Sequence, residues 1–188
     1  MAKPLLLDTS VILNIIATGS GLDVVKSLER ECFVCTAVAA EAIYIRGEDS
    51  AQPLQLVSVQ PWIESGRVSI VAPEGKREEE LYVQFAADLD DGEAMSLAIC
   101  VGRQYVFATD DRKARRVAGS QLSAPVDLLS TPEILHTWSS GAGILSETLR
   151  EAILRVETKA RFKPAPSDPL FEWWHRGRLE DKASFKSR

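Results

Sequence analysis

The sequence predicts an α/β protein built on a mostly parallel sheet. Short apolar runs of strand type alternate with segments of helical spacing along most of the chain. Two of those runs, Leu5-Leu6-Leu7-Asp8 and Tyr105-Val106-Phe107-Ala108-Thr109-Asp110-Asp111, stop abruptly at aspartate. Neighbouring strands that end this way place their acids together on the carboxyl edge of a parallel sheet, where open α/β folds keep their chemistry.

The elements follow in order. Leu5–Leu7 reads as a buried strand, and Thr9 or Ser10 caps a helix over Val11–Ala17 that ends near Gly19 and Gly21. Leu22, Val25 and Leu28 predict a helix over Leu22–Glu31, followed by a short strand at Cys32–Cys35. Thr36 is expected to cap an alanine-rich helix, Ala37–Arg46, closed by Gly47. Residues 48–61, with Ser50, Pro53 and Pro61, read as a loop with some extended structure, leading through Trp62–Ser65 to a strand at Arg67–Val71. Lys76–Ala87 carries an acidic first turn that suits a helix. Asp90-Asp91-Gly92-Glu93 opens the next helix, whose Ala94, Leu97, Ala98 and Val101 share one face before Gly102 ends it. Tyr105–Thr109 is a strand, Arg112–Ala118 a helix, and Val126–Leu129 one more short strand. Pro132 at a helix start and Ser146 as a cap mark two later helices. From about Arg161 the pattern fails. A body over residues 1–163 and an irregular basic tail over 164–188 are expected, with Leu170-Phe171 and Trp173-Trp174 packed on the body or on another subunit.

Composition narrows the class. The 188 residues are 45% hydrophobic and 26% charged, values of an ordinary globular domain. Apolar stretches fall far short of the roughly 18 residues of a membrane span, and the start lacks the features of a secretory signal. A cytoplasmic protein is expected. Cys32 and Cys35 form a C-x-x-C, but a zinc site needs about four ligands and no second pair accompanies it. The three cysteines are therefore expected to be buried and structural. The net charge of −5 is uneven: residues 155–188 hold nine Lys/Arg and five acids, leaving −9 on the rest. A basic end of this kind is either a solvated tail or a contact for a polyanion.

Four positions offer carboxylates in the right kind of place. Asp8 and Asp110 end apparent strands, Glu41 lies within an otherwise apolar helix, and Glu93 sits in a first helical turn. Each alone reads equally as a helix cap or a surface acid. Together they imply more, because two carboxylates about 4 Å apart repel by about 4 kcal/mol at a surface-like dielectric. A hard divalent cation, Mg²⁺ or Mn²⁺, relieves that repulsion with oxygen ligands alone. Only His136 and His175 could add imidazole, and both are remote in sequence. No Ser/His/Asp or Cys/His arrangement appears, no G-x-G-x-x-G follows the first strand, and the Asp and Lys of a phosphoacceptor receiver are not convincingly placed.

Leu6-Leu7-Asp8-Thr9-Ser10, Glu41, Leu89-Asp90-Asp91-Gly92-Glu93-Ala94 and Ala108-Thr109-Asp110-Asp111-Arg112-Lys113-Ala114-Arg115 stand in an order and spacing that resembles the PIN domain, the nuclease fold of many VapC-type toxins. The resemblance covers about residues 4–160. It is closest to the subgroup with Gly-Glu-Ala and Asp-Asp-Arg-Lys-Ala-Arg patterns. It implies a three-layer α/β/α fold and metal-dependent hydrolysis of RNA with Mg²⁺ or Mn²⁺ as cofactor. It also implies metal-binding, catalytic roles for Asp8, Glu41, Glu93 and Asp110. Asp90 and Asp91 stay open as alternatives for the third acid, with Asp111 and Asp91 as auxiliary ligands and Thr9 and Ser10 as supporting residues. Arg112, Lys113, Arg115 and Arg116 are expected to grip flanking RNA phosphates. An antitoxin protein and a second copy of the chain are the implied partners, with no membrane involved. The competing reading is a PIN-like module that binds nucleic acid or acts as a scaffold without cleaving.

Overall fold

A computed structural model of the protein describes residues 2–47, 52–120, 127–141 and 143–179. Five strands form its sheet: β1 (Leu5–Leu7), β2 (Cys32–Cys35), β5 (Val68–Val71), β6 (Val106–Ala108) and β7 (Leu128–Leu129), in the order β5-β2-β1-β6-β7. Every pairing within it is parallel. β1 is central and entirely buried, as expected of a strand covered on both faces. Successive strands are added first on one side of β1 and then on the other. The carboxyl end of β1 beside β6 is therefore the point where the winding reverses.

Helices flank this sheet in a three-layer α/β/α arrangement. The first half contributes α1 (Thr9–Ala17), α2 (Gly21–Ser27), α3 (Thr36–Ala40) and α4 (Gln60–Glu64). The second half contributes α5 (Gly75–Phe85), α6 (Asp91–Arg103), α7 (Arg112–Ser120), α8 (Thr131–Gly141), α9 (Ser146–Arg155) and α10 (Phe171–Leu179). The core joins Leu5, Leu6, Leu7 and Phe107 of the sheet to Ile12 and Ile15 of α1, Leu97 and Ile99 of α6, and Trp138 of α8. Cys32, Cys35 and Cys100 are buried free thiols, and the Cys35 Sγ accepts the Val38 N–H at the start of α3. Among the described residues no helix is long and apolar enough to cross a membrane.

The largest departure from expectation follows α3. The helix predicted over Ala37–Arg46 stops at Ala40; Glu41 is extended (φ −70°, ψ 141°) and Ile43–Arg46 is β3. Ile43, Tyr44 and Ile45 are β-branched or aromatic and alternate buried and exposed, which suits a half-buried strand. β3 pairs antiparallel with β4 (Leu54–Val57), inside the segment expected to be mainly loop. Residues 48–51 of that segment, Val126 of the last predicted strand and residues 180–188 of the tail lie outside the described residues.

Three ends also differ. α2 stops at Ser27, and Glu29 takes a left-handed conformation (φ 49°) before β2. Gly102 does not end α6, which runs to Arg103 with Gln104 left-handed at its cap (φ 58°). Gly102 instead admits Glu78, whose Cγ would lie 2.6 Å from a Cβ there; buried Glu78 takes two bonds of 2.9 Å from Arg103. Ser146 opens α9 as its first residue, with Leu145 at the cap position.

The segment expected to be an irregular tail contains α10, which packs on α9. Trp174 is buried there, and its Nε1 donates to Glu157 at 3.1 Å. Glu157 lies in the π-helical turn Val156–Ala160 that follows α9. The prolines at 164, 166 and 169 delimit this helix without preventing it.

Candidate functional site

Register alone brings the two strand-ending acids together. Leu7 lies opposite Ala108, and the Asp8 N–H donates to the Ala108 carbonyl at 2.9 Å. Asp8 occupies the cap position of α1, but its side chain makes no hydrogen bond of capping geometry. It is 3% exposed, and its Oδ2 accepts from Ser10 Oγ at 2.7 Å and Thr109 Oγ1 at 3.0 Å. Burial pushes its carboxyl above the usual range, and these hydrogen bonds pull only part of the way back.

Thr9 and Ser10, expected as caps, serve the acids. Thr9 Oγ1 donates to Glu41 Oε2 at 2.5 Å, and Ser10 Oγ accepts the Asp110 N–H at 3.1 Å. Glu41 reaches the site from the break between α3 and β3, not from within a helix. Its carboxyl is raised by loss of solvent and then by the charges of Asp90 and Asp8. Glu41 Oε1 also lies 2.6 Å from where a Cβ on Gly92 would stand. Gly92 thus lets the first turn of α6 approach that carboxylate. Gly92→Ala is expected to displace Glu41, whose carboxylate ends a flexible side chain, at a modest thermal cost from the buried Val38, whose Cγ2 would lie 3.2 Å from the new Cβ. Activity should fall by about 10–100-fold, as for other changes that misplace a ligand. A variant with unaltered activity and melting temperature would show that this approach is unimportant.

The third acid forms a capping box with its neighbour. The Glu93 N–H donates to Asp90 Oδ1 at 2.9 Å, and the Asp90 N–H reaches Glu93 Oε2 at 3.4 Å. Asp91 accepts from the Tyr82 hydroxyl at 3.2 Å. Burial, followed by the charges of Asp90, Asp111 and Asp8, pushes the Glu93 carboxyl up to about 7. Such a group exchanges a proton near neutrality.

Asp110 is held most firmly. Its Oδ1 accepts the Thr131 N–H at 2.9 Å, and its Oδ2 accepts Asn14 Nδ2 at 2.9 Å and the Thr131 hydroxyl. Its carboxyl is raised by burial and lowered in part by those bonds and by Arg115. Asp111 caps α7, accepting the N–H groups of Lys113 and Ala114 at 2.7 and 2.8 Å. Arg112, Lys113 and Arg116 are exposed on α7. Arg115 turns inward, where its Nη1 donates to the carbonyls of Thr109 and Leu129.

Sequence reasoning missed Asn14, Thr109, Thr131 and Gly92. Asn14 did carry a signal: it is a lone amide in the apolar run Val11–Ile16, and it is 2% exposed. Thr131 precedes the noted Pro132, but nothing local ties it to Asp110.

Among the described residues, no three His, Cys, Asp or Glu side chains are grouped so that they could hold a metal ion. Glu41, Glu93 and Asp110 are each turned onto donors of the protein itself. The chemistry of the set still fits a hard divalent cation, since each of the four side chains offers carboxylate oxygens. Among the described residues, no cation figures among the groups that shift Asp8, Glu41 or Glu93.

That imbalance predicts an unusual pH response. The Glu93 carboxyl titrates near 7 in the folded protein against its ordinary 4.5, so the folded state keeps a proton that the unfolded state releases. The stability it contributes is present below about pH 4.5 and is lost as pH rises through about 7. Asp8, Glu41 and Asp110, also raised, act in the same direction. Without metal, the melting temperature should fall between pH 5 and 7.5, fall less in Glu93→Gln, and recover with Mn²⁺. A melting temperature that rises over that interval in EDTA would contradict the electrostatic picture.

A family profile described as PIN domain matches residues 4–123. No curated protein and no solved structure gives a significant match. Thr131 and everything after it lie beyond the matched region. The profile spans well over half of the residues and includes Asp8, Glu41, Asp90, Asp91, Glu93, Asp110 and Asp111, and so the chain belongs to the PIN domain family, a nuclease-type fold.

Proposed function

We propose that this protein is a Mg²⁺- or Mn²⁺-dependent endoribonuclease. The observation that carries the reading is the register that brings Asp8 and Asp110 together at the carboxyl ends of β1 and β6, with Glu41 and Glu93, both raised by burial, close enough for the charge of Asp8 to raise them further, in a chain of a nuclease-type family. Asp8, Glu41, Glu93 and Asp110 would hold the cation, with Asp91 and Asp111 beside them. A bound ion of this kind supplies positive charge for the scissile phosphate and a water of lowered pKa. The chain does the rest by positioning: Ser10 and Thr109 orient Asp8, Thr9 orients Glu41, and Asn14 with Thr131 fixes Asp110. Arg112, Lys113 and Arg116 offer exposed charge to flanking phosphates, whereas Arg115 braces the ends of β6 and β7. No protein nucleophile is required.

The test is cleavage of an unstructured RNA by the full chain in Mn²⁺ and in EDTA. Cleavage that needs Mn²⁺ supports the proposal; RNA left intact in Mn²⁺ removes it. The reading extends by resemblance to a cytoplasmic toxin held by an antitoxin and to a homodimer. Light scattering reads the dimer directly: a mass of 20.7 kDa rather than twice that value would exclude it.

One observation favours the alternative, a non-catalytic nucleic-acid-binding module: Glu41, Glu93 and Asp110 all rest on internal donors, and among the described residues no three acids are grouped for an ion. Mn²⁺ calorimetry separates the two. Heat of binding that disappears in Asp8→Asn supports the nuclease, and no heat in the wild type supports the binding module.

A further inference from the structure

Beyond the family-matched region, the chain comes back to the acids. After the π-helical turn, Arg161 takes a left-handed conformation (φ 59°) and reverses the backbone. Residues 162–165 belong to no helix or strand, and a turn closed by the Asp168 N–H on the Ala165 carbonyl (2.8 Å) leads into α10. This segment faces Asp110 and the start of α7 across a groove of about 590 Å³.

We propose that this groove holds one nucleotide of the RNA strand, adjacent to the scissile position at Asp110. The inference rests on the ribonuclease reading and adds to it a strand-binding wall supplied by residues 161–169.

The groove is much larger than a lone phosphate needs and falls in the range of sites that enclose a small organic ligand. Its lining combines the two surfaces a nucleotide presents. Arg112 of α7 and Lys163 of the returning segment bring positive charge, and Phe162 and Pro169 supply apolar area for a ribose or base. Arg112 has no ion-pair partner among the described residues. Lys163 pairs with Glu157 at 3.4 Å but stays 60% exposed, and Glu157 keeps Trp174 and Arg178 when Lys163 turns away. A solvent-exposed pair of this kind costs little to exchange for a phosphate. The second acid of the groove, Asp168, is occupied by the Leu170 N–H at 2.8 Å, and Arg115 is held by carbonyls. Arg112 and Lys163 therefore remain the cations able to follow a phosphate.

The test is fluorescence anisotropy of a labelled oligouridine with the full chain in EDTA, where cleavage cannot occur. The double variant Arg112→Ala/Lys163→Ala should bind about tenfold more weakly, with a salt dependence shallower by about 1.4 in log–log slope, as for two lost contacts to a single strand. Ala165→Trp, which fills the groove without removing charge, should weaken binding while keeping the wild-type slope. Lys76→Ala on α5, remote from the groove, is the control. Wild-type binding with both groove variants unchanged overturns this inference and leaves the ribonuclease reading standing. No RNA binding by the wild type in EDTA overturns this inference, whereas the ribonuclease reading stands or falls on Mn²⁺-dependent cleavage. Tighter binding of the matching deoxyribose strand overturns RNA as the occupant.

Discussion

Asp8→Asn is expected to lower Mn²⁺-dependent RNA hydrolysis by on the order of 10³-fold, equal to about 4 kcal/mol of transition-state stabilisation. The substitution keeps the size of the side chain and one carbonyl oxygen, so the hydroxyls of Ser10 and Thr109 still find an acceptor. It removes the charge that a bound cation would meet. Because Asp8 is 3% exposed and its charge is opposed by burial, the metal-free variant should be at least as stable as the wild type. The combination is diagnostic: activity lost, stability kept or raised. A variant that unfolds would mark Asp8 as a structural residue, and one that retains activity would remove it from the site.

Trp174→Ala is expected to destabilise the protein by about 3–5 kcal/mol. The indole is 3% exposed, stands edge-on to Phe162 at 5.8 Å and donates to Glu157. Its loss would leave a cavity between α9 and α10 and remove one donor from a carboxylate that is only 9% exposed. Equilibrium denaturation measures the effect, and limited proteolysis locates it. If α10 is integral to the domain, unfolding remains one cooperative transition at lower denaturant. If it is an appendage, residues 171–179 become cleavable while the main transition stays in place. The second outcome would also detach the groove wall from the nuclease body, because Phe162 packs on Trp174.

Much of the sheet was legible because its strands are short, apolar and ended by charge. Leu5–Leu7 and Val106–Ala108 could be placed from the run that stops at Asp8 or precedes Asp110, and their adjacency followed from parallel pairing. The start of α6 was equally local, since Asp90 and Glu93 are three residues apart and form a capping box.

What failed depended on contacts distant in sequence. Ala37 to Ala42 have helix-forming character, and nothing nearby signals that Ile43–Arg46 will pair with Leu54–Val57. Glu41 was therefore assigned to a helix, although it lies at the break and gains its freedom to reach Thr9 there. The support of Asp110 was hidden for the same reason: Asn14 is 96 residues away and Thr131 is 21. Three prolines suggested an irregular end to the chain, whereas they set the boundaries of a turn before α10.

The arrangement of the acids also explains why the choice among Asp90, Asp91 and Glu93 was difficult from sequence. All three stand at one helix end, but their partners differ. Asp90 caps the helix, Asp91 takes the Tyr82 hydroxyl, and the Glu93 carboxyl is raised by burial and in part by the charge of Asp8. That coupling supports Glu93 as the third acid of the proposed set.

The central claim is that these acids exist to hold a divalent cation. Anomalous scattering from crystals grown with Mn²⁺ tests it most directly. The account predicts a Mn²⁺ ion bonded to Asp8 and to at least one of Glu41, Glu93 and Asp110, with the Glu41 or Glu93 side chain swung from its internal donor. Crystals saturated with Mn²⁺ that show no ion at Asp8, and the three acids still on Thr9, Asp90 and Thr131, would contradict it.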